Sequence, residues 1–305
     1  MGFCLLTQTA TLLILVMLGC DGLFYFPTQR RYADPRELGL RYESVSFPSP
    51  DGPPLHGWFF PAATAAAHGT VVHCHGNAGN ISGHFEHVYW LPARGWNLLC
   101  FDYRGYGESP GRPSRRGTID DAHAAVDFAL RRGAGRGERV VLFGQSIGGS
   151  VAIVVAAERH DLAGVAVEGA FPSYRQIASY HIRRNLLLHV LGWWVPYLLM
   201  SDDWNPIDYV ARVAPTPLLI VQGREDDIMD WPMARRLHER AGPRAWLMLV
   251  EGAGHTEAFG DDSPQRRDVL CEYFSLCVSG EEADGPFEDL LRPAGAASSP
   301  AERPP

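Results

Sequence analysis

Ser146 stands in the run Gly144-Gln145-Ser146-Ile147-Gly148, with the apolar stretch "VVLF" before it and the helix-compatible "GSVAIVVAA" after it. A serine on a strained strand-to-helix turn, with glycines removing the side chains that would collide there, is the arrangement of a nucleophile elbow. A serine hydroxyl needs a base to take its proton, and the chain offers few kinds. All 27 basic residues are arginine, so Schiff-base lysines, a P-loop lysine and a Ser-Lys dyad are excluded. The base must then be histidine or a carboxylate. His255 lies in the glycine-flanked loop "EGAGHTEAF" directly after an apolar run, and Asp226 and Asp227 lie in "GREDDIMDW" after the preceding one. One of the two aspartates can orient the imidazole and stabilise its charged form, with the other left as a solvated neighbour. A tetrahedral oxyanion needs two preorganised N–H donors. Asn77, in "HGNAGN" after a further apolar run, and Ile147, the residue following the serine, can supply them.

These residues need a scaffold that delivers several strand ends to one place. The runs at 70–75, 96–101, 139–144, 164–169, 217–223 and 245–250 are almost continuously apolar, as suits strands buried on both faces of a parallel sheet. Before them, "YESVSF" and "LHGWFF" alternate around "PSPDGPP" and predict an antiparallel hairpin. Helices are expected at about 81–94, 117–132, 148–159, 232–241 and 264–277, with Pro232 and Pro264 near their starts and Ser263 as a cap. The alternation predicts a doubly wound α/β domain with eight mostly parallel strands, whose catalytic groups collect beyond the carboxyl ends of the strands. It is interrupted at 171–212, an aromatic-rich insertion containing "LLLHVLGWWVPYLLM" that reads as a helical cap, an acyl-binding lid or a membrane-contacting surface.

The pairing of HGNAGN with FDYRGYGES at 101–109, GQSIGG at 144–149, GREDD at 223–227 and GAGH at 252–255 resembles the α/β-hydrolase superfamily, over residues 22–278. Within it the chain is similar to small membrane-tethered serine hydrolases of the ABHD type and their bacterial relatives. The resemblance implies Ser146 as nucleophile, Asp226 as acid, His255 as base, and Asn77 and Ile147 as oxyanion donors. Glu168 is a second candidate acid, since some hydrolases carry theirs one strand earlier, and Asp227 is a third. The resemblance further implies cofactor-free cleavage of esters or thioesters of small-molecule, lipid or acyl-protein substrates, with amide or peptide cleavage and an inert lipid- or partner-binding protein as alternatives.

Composition narrows the setting. A formal net charge of -8 and a pI near 5.8 argue against a nucleic-acid partner, which requires a basic face. The first 20 residues carry no charge and include "TLLILVML", the length of a signal-peptide core; Met17-Leu18-Gly19-Cys20 resembles a bacterial lipobox with Cys20 as the lipidated residue. Asp21 resembles the residue that retains such lipoproteins at the inner membrane, facing the periplasm, whereas Arg30, Arg31 and Arg36 favour a cytoplasm-facing anchor. Residues 279–305 have the composition of a disordered tail. Cys74, Cys100, Cys271 and Cys277 read as core filling. His73, His75, His84 and His87 form no convincing metal set, because no carboxylate or cysteine completes it.

Overall fold

The computed structural model describes residues 24–185 and 188–280. The expected anchor with Cys20 and nearly all of the expected tail lie outside the described residues. Eight strands form one sheet: β1 (Glu43–Phe47), β2 (Leu55–Phe60), β3 (Thr70–Cys74), β4 (Asn97–Phe101), β5 (Val140–Gln145), β6 (Gly164–Glu168), β7 (Leu218–Gly223) and β8 (Ala245–Val250), in the order β8-β7-β6-β5-β3-β4-β2-β1. β2 pairs antiparallel with both β1 and β4; the pairs from β4 through β8 are all parallel. Every residue of β3 to β7 is buried, which is why those strands read as unbroken apolar runs.

Five longer helices cover the sheet: α1 (Arg115–Gly133), α2 (Ile147–Ala157), α3 (Tyr174–Arg184), α4 (Trp231–Arg240) and α5 (Pro264–Ser279). Ile119, Val126, Val151, Val155 and Leu237 from α1, α2 and α4 pack on one face. Phe85, Trp90, Leu270 and Phe274 pack on the other. The segment expected as one helix over 81–94 is instead a four-residue helix (Ile81–His84) followed by two 3-10 turns, Phe85–His87 and Pro92–Arg94. Pro92 has no N–H to continue a ladder, and Gly95 closes the segment in the left-handed region. Ser263 occupies the position before α5 but makes no capping bond; its hydroxyl turns to Asp262. The segment 171–212, where a cap is expected and hereafter termed the cap, contains α3, a short helix Val195–Leu199, another at Pro206–Tyr209, and 3-10 turns.

Two buried arginine contacts tie loops to this frame. Arg104, just beyond β4, grips the buried Asp121 of α1 through its Nε (3.0 Å to each carboxylate oxygen), its Nη2 (2.7 Å) and its backbone N–H (2.8 Å). Arg115 donates to the Ser201 carbonyl at 3.0 Å and lies 4.1 Å from the Tyr174 ring centroid, fastening the base of the cap. Removing one partner of a buried ion pair strands the other. Asp121→Ala is therefore expected to lower unfolding free energy by about 3 kcal/mol in urea denaturation. A loss below about 0.5 kcal/mol would mean that Arg104 finds water instead.

Candidate active site

The turn between β5 and α2 is tightly closed. Ser146 has φ +56° and ψ −123°, a conformation costly for a residue with a side chain. Its N–H donates to the Glu168 carbonyl at 2.8 Å, and its own carbonyl accepts from the Gly149 amide at 3.0 Å. The flanking glycines are required by contact. A Cβ on Gly144 would run into the Gly148 carbonyl, and one on Gly148 into the carbonyl oxygens of Cys74 and His75. The end of β3 thus presses directly on the first turn of α2.

His255 follows β8 as expected, and its Nδ1 lies 2.8 Å from Asp226 Oδ2. Asp226 is the better-held of the two adjacent aspartates. Its Oδ1 accepts the amides of Ile228 (2.9 Å) and Met229 (2.8 Å), and its Oδ2 also accepts Gln222 Nε2 at 2.8 Å. Burial opposes its ionisation, but the hydrogen bond and charge of His255, with those two amides, outweigh it and hold the carboxyl below the usual carboxylate range. Asp227 is exposed and makes no such contact with His255; its carbonyl accepts from Arg184.

Glu168, at the end of β6, is also close but serves other partners. Gln145 Nε2 donates to its Oε2 and the Ala258 amide to its Oε1, both at 2.7 Å. Burial raises its pKa, the reverse of Asp226. Glu168 therefore ties the serine turn, through its carbonyl and through Gln145, to the loop that carries His255.

Asn77 and Ile147 line one cavity together with Ser146 and His255. Ile147 is the first residue of α2, where backbone N–H groups have no partner inside the helix. The loop around Asn77 is held from three sides. His84 Nε2 donates to the Ala78 carbonyl at 2.6 Å, and His75 Nδ1 donates to the Gly76 carbonyl at 2.7 Å. Phe26–Pro27 pairs in parallel with Ala78–Gly79, and the Phe26 amide donates to Asn77 Oδ1 at 3.0 Å. Asn80 completes the clasp, donating to the carbonyls of Thr28 and Arg30 at 2.8 Å each.

From sequence, His84 is considered only as a metal ligand and the 24–34 segment only for the charge of its arginines; Gln222 is not singled out. The 24–34 segment reaches the Asn77 loop across about 50 residues, whereas His84 and Gln222 bond groups six and four residues away. The histidines considered as metal ligands are spent on structure: His73 bonds Gln145 at 3.0 Å, and the rings of His75 and His84 stack at 5.2 Å. Among the described residues no group of three or more His, Cys, Asp or Glu side chains is placed to hold a metal ion.

The cavity has a volume of about 790 Å³. Phe171, Ile177, Val195, Leu199 and Met200 from the cap side make most of its wall apolar, and among the described residues no Asp or Glu lines it.

Comparison with known proteins agrees with this architecture. A family model described as serine aminopeptidase, S33, matches residues 65–212. The Escherichia coli (strain K12) protein YfhR is 36% identical over 244 residues, spanning 78% of this chain and 81% of YfhR. The Arabidopsis thaliana α/β-hydrolase domain-containing protein WAV2 is 30% identical over 222 residues, 69% of this chain and 70% of its own. The chain belongs to the α/β-hydrolase superfamily. Among solved structures, this α/β-hydrolase is similar to an esterase of Pyrococcus furiosus, with a TM-score of 0.67 at 21% identity, covering 82% of this chain and 97% of that one. It is also similar to the Pyrococcus horikoshii acylaminoacyl peptidase, with a TM-score of 0.64 at 16% identity over 83% of this chain and 44% of that one. Those likenesses are of fold.

Two outcomes follow from the packing. Gly148→Ala forces a side chain into the Cys74 and His75 carbonyls and is expected to lower stability by about 3 kcal/mol or more, read as a lowered thermal midpoint. The second concerns acid. Burial, with neighbouring histidines, lowers the pKa of His73 to about 3 and, together with His87, that of His84 to about 4. Both are held neutral in the fold and regain an ordinary pKa near 6.5 when it opens. Stability is thus full above pH 6.5 and drains as pH falls toward about 4 and then about 3. Urea midpoints between pH 7.5 and 4.5 should fall less steeply for His84→Gln than for the unmodified chain; equal slopes would place the acid sensitivity elsewhere.

Proposed function

We propose that this α/β-hydrolase is a serine esterase or thioesterase acting on apolar acyl groups. The observation that carries the reading is a serine on a strained turn sharing one cavity with a histidine whose Nδ1 lies 2.8 Å from a buried carboxylate. With Nδ1 engaged by Asp226, His255 keeps Nε2 to accept the Ser146 proton. Ser146 Oγ then bonds the substrate carbonyl carbon, and the N–H groups of Asn77 and Ile147 receive the negative oxygen. Collapse of that adduct breaks the bond to the alcohol or thiol, which leaves with the proton from His255. Water, activated by the same imidazole, attacks the acyl-Ser146 and releases the acid.

The apolar wall favours an acyl chain over a peptide amino terminus. An aminopeptidase has to hold a substrate ammonium, and among the described residues the cavity lining includes no Asp or Glu that could do so.

Fluorophosphonate labelling with peptide mapping tests the reading. Label is expected on Ser146, strongly reduced in Asp226→Asn and retained in Asp227→Asn. Ser146→Ala should lower turnover of short-chain esters by about four to six powers of ten, and Asp226→Asn by about three to four. Folded protein that takes no label, or a Ser146→Ala variant of near-normal rate, would end the acyl-enzyme mechanism and favour a protein that holds a lipid without cleaving it.

A further inference from the structure

The cap carries apolar side chains in two opposite directions. In the short helix Val195–Leu199, Val195, Pro196 and Leu199 line the cavity, while Tyr197 and Leu198 point outward. The outward set continues upstream with Val190, Trp193 and Trp194, exposed by 71%, 58% and 51%, against 56% for Leu198. These five exposed bulky apolar groups form a stripe along nine residues of the chain, across the 3-10 turn Leu191–Trp193 and the helix Val195–Leu199. Burying only the inward half leaves an outer face that water solvates poorly, the mark of an interaction surface.

Charge and chain path indicate what covers it. Residues 169–201 contain Arg175, Arg183 and Arg184 and no acidic residue, although the whole chain has 35 Asp and Glu and a formal net charge of -8. Arg175 is paired with Asp202 at the margin. Arg183 lies 3.6 Å from the Trp193 ring centroid, so a cation stands within the aromatic stripe. Tryptophan with arginine at the edge of an apolar face matches the boundary between lipid headgroups and acyl chains. The chain also arrives from the same side. Phe24, the first described residue, packs its ring 5.2 Å from Tyr174 of α3, and Phe24 and Phe26 both line the cavity mouth beside the cap. The sequence just before them holds the uncharged "TLLILVML" of residues 11–18.

We propose that the outer face of the cap, residues 188–198, docks on an anionic lipid bilayer, with the cavity mouth turned toward the membrane. Docking needs no catalysis; only its use, delivering acyl substrates from the bilayer to Ser146, rests on the hydrolase reading. No helix among the described residues is long and apolar enough to cross a membrane.

Hydrogen exchange of the full chain, with vesicles of phosphatidylcholine alone and of phosphatidylcholine with phosphatidylglycerol, reads the contact directly. Peptides spanning 188–198 should be protected by the mixed vesicles, less so by the neutral ones, with α5 unchanged; Ser146→Ala should give the same pattern, so an inactive chain does not obscure the result. Exchange over 188–198 that ignores vesicles to which the chain is bound would mean that residues 1–23 do the binding alone and would overturn the proposal. Protection already present without lipid, in a particle of twice the chain mass, would assign the face to a second copy and also overturn it. In the triple variant Val190→Ser/Trp194→Ser/Leu198→Ser, none of whose positions line the cavity, hydrolysis of a long-chain nitrophenyl ester carried in mixed vesicles should fall about tenfold while that of p-nitrophenyl acetate stays within about twofold. Equal loss on both substrates would make the stripe a structural part of the cap and would refute docking.

Discussion

The rest of the molecule is arranged around one steric constraint, the closure of the turn at Ser146. A residue with a side chain holds a positive φ there because the surroundings leave it no alternative. Gly144 and Gly148 let β5 and α2 close on each other, the carbonyls at the end of β3 press from one side, and the Glu168 carbonyl fixes the serine amide from the other. The cost is local, of the order of 1–3 kcal/mol, and is met by burial of the central strands. The turn presents the serine at the carboxyl edge of the sheet, where β3, β7 and β8 also deliver Asn77, Asp226 and His255.

Three carboxylates lie near the imidazole, and their environments separate them. Asp226 receives three N–H donors besides His255 and stays ionised. Glu168 is more deeply enclosed and is shifted toward its neutral form, while holding Gln145 and the Ala258 amide. Asp227 faces water. Proximity alone would not choose among them; the donors supplied by the 226–229 turn do. Glu168 acts on the geometry of the site, since the serine turn and the histidine loop both hang from it.

The central strands were legible in the sequence because burial on both faces leaves an unmistakable apolar run, and the site was legible because its members follow those runs directly. Ser146 and His255 stand where the sequence placed them, each just beyond a strand. Composition and spacing left Asp226 and Asp227 level and only the family resemblance favoured Asp226; the structure separates the two by which way the turn points them. The single helix expected over 81–94 gave way after His84 to 3-10 and turn geometry, well before Pro92, although the apolar residues keep their periodicity. The role of His84 stayed hidden although the residue itself was noticed, because a histidine that steadies a backbone carbonyl looks, in sequence, like any other.

The pairing of Phe26–Pro27 with Ala78–Gly79 sets a practical limit on how far the protein can be shortened. A chain begun at residue 40 would keep all eight strands, the serine turn and the Asp226–His255 pair. It would lack the strand partner of the Asn77 loop, the amide that holds the Asn77 side chain, and both carbonyls that anchor Asn80. Such a protein could fold, crystallise and bind an active-site probe weakly while being a poor catalyst. Its weakness would then be a property of the cut, and the boundary for a faithful soluble form lies upstream of Phe24.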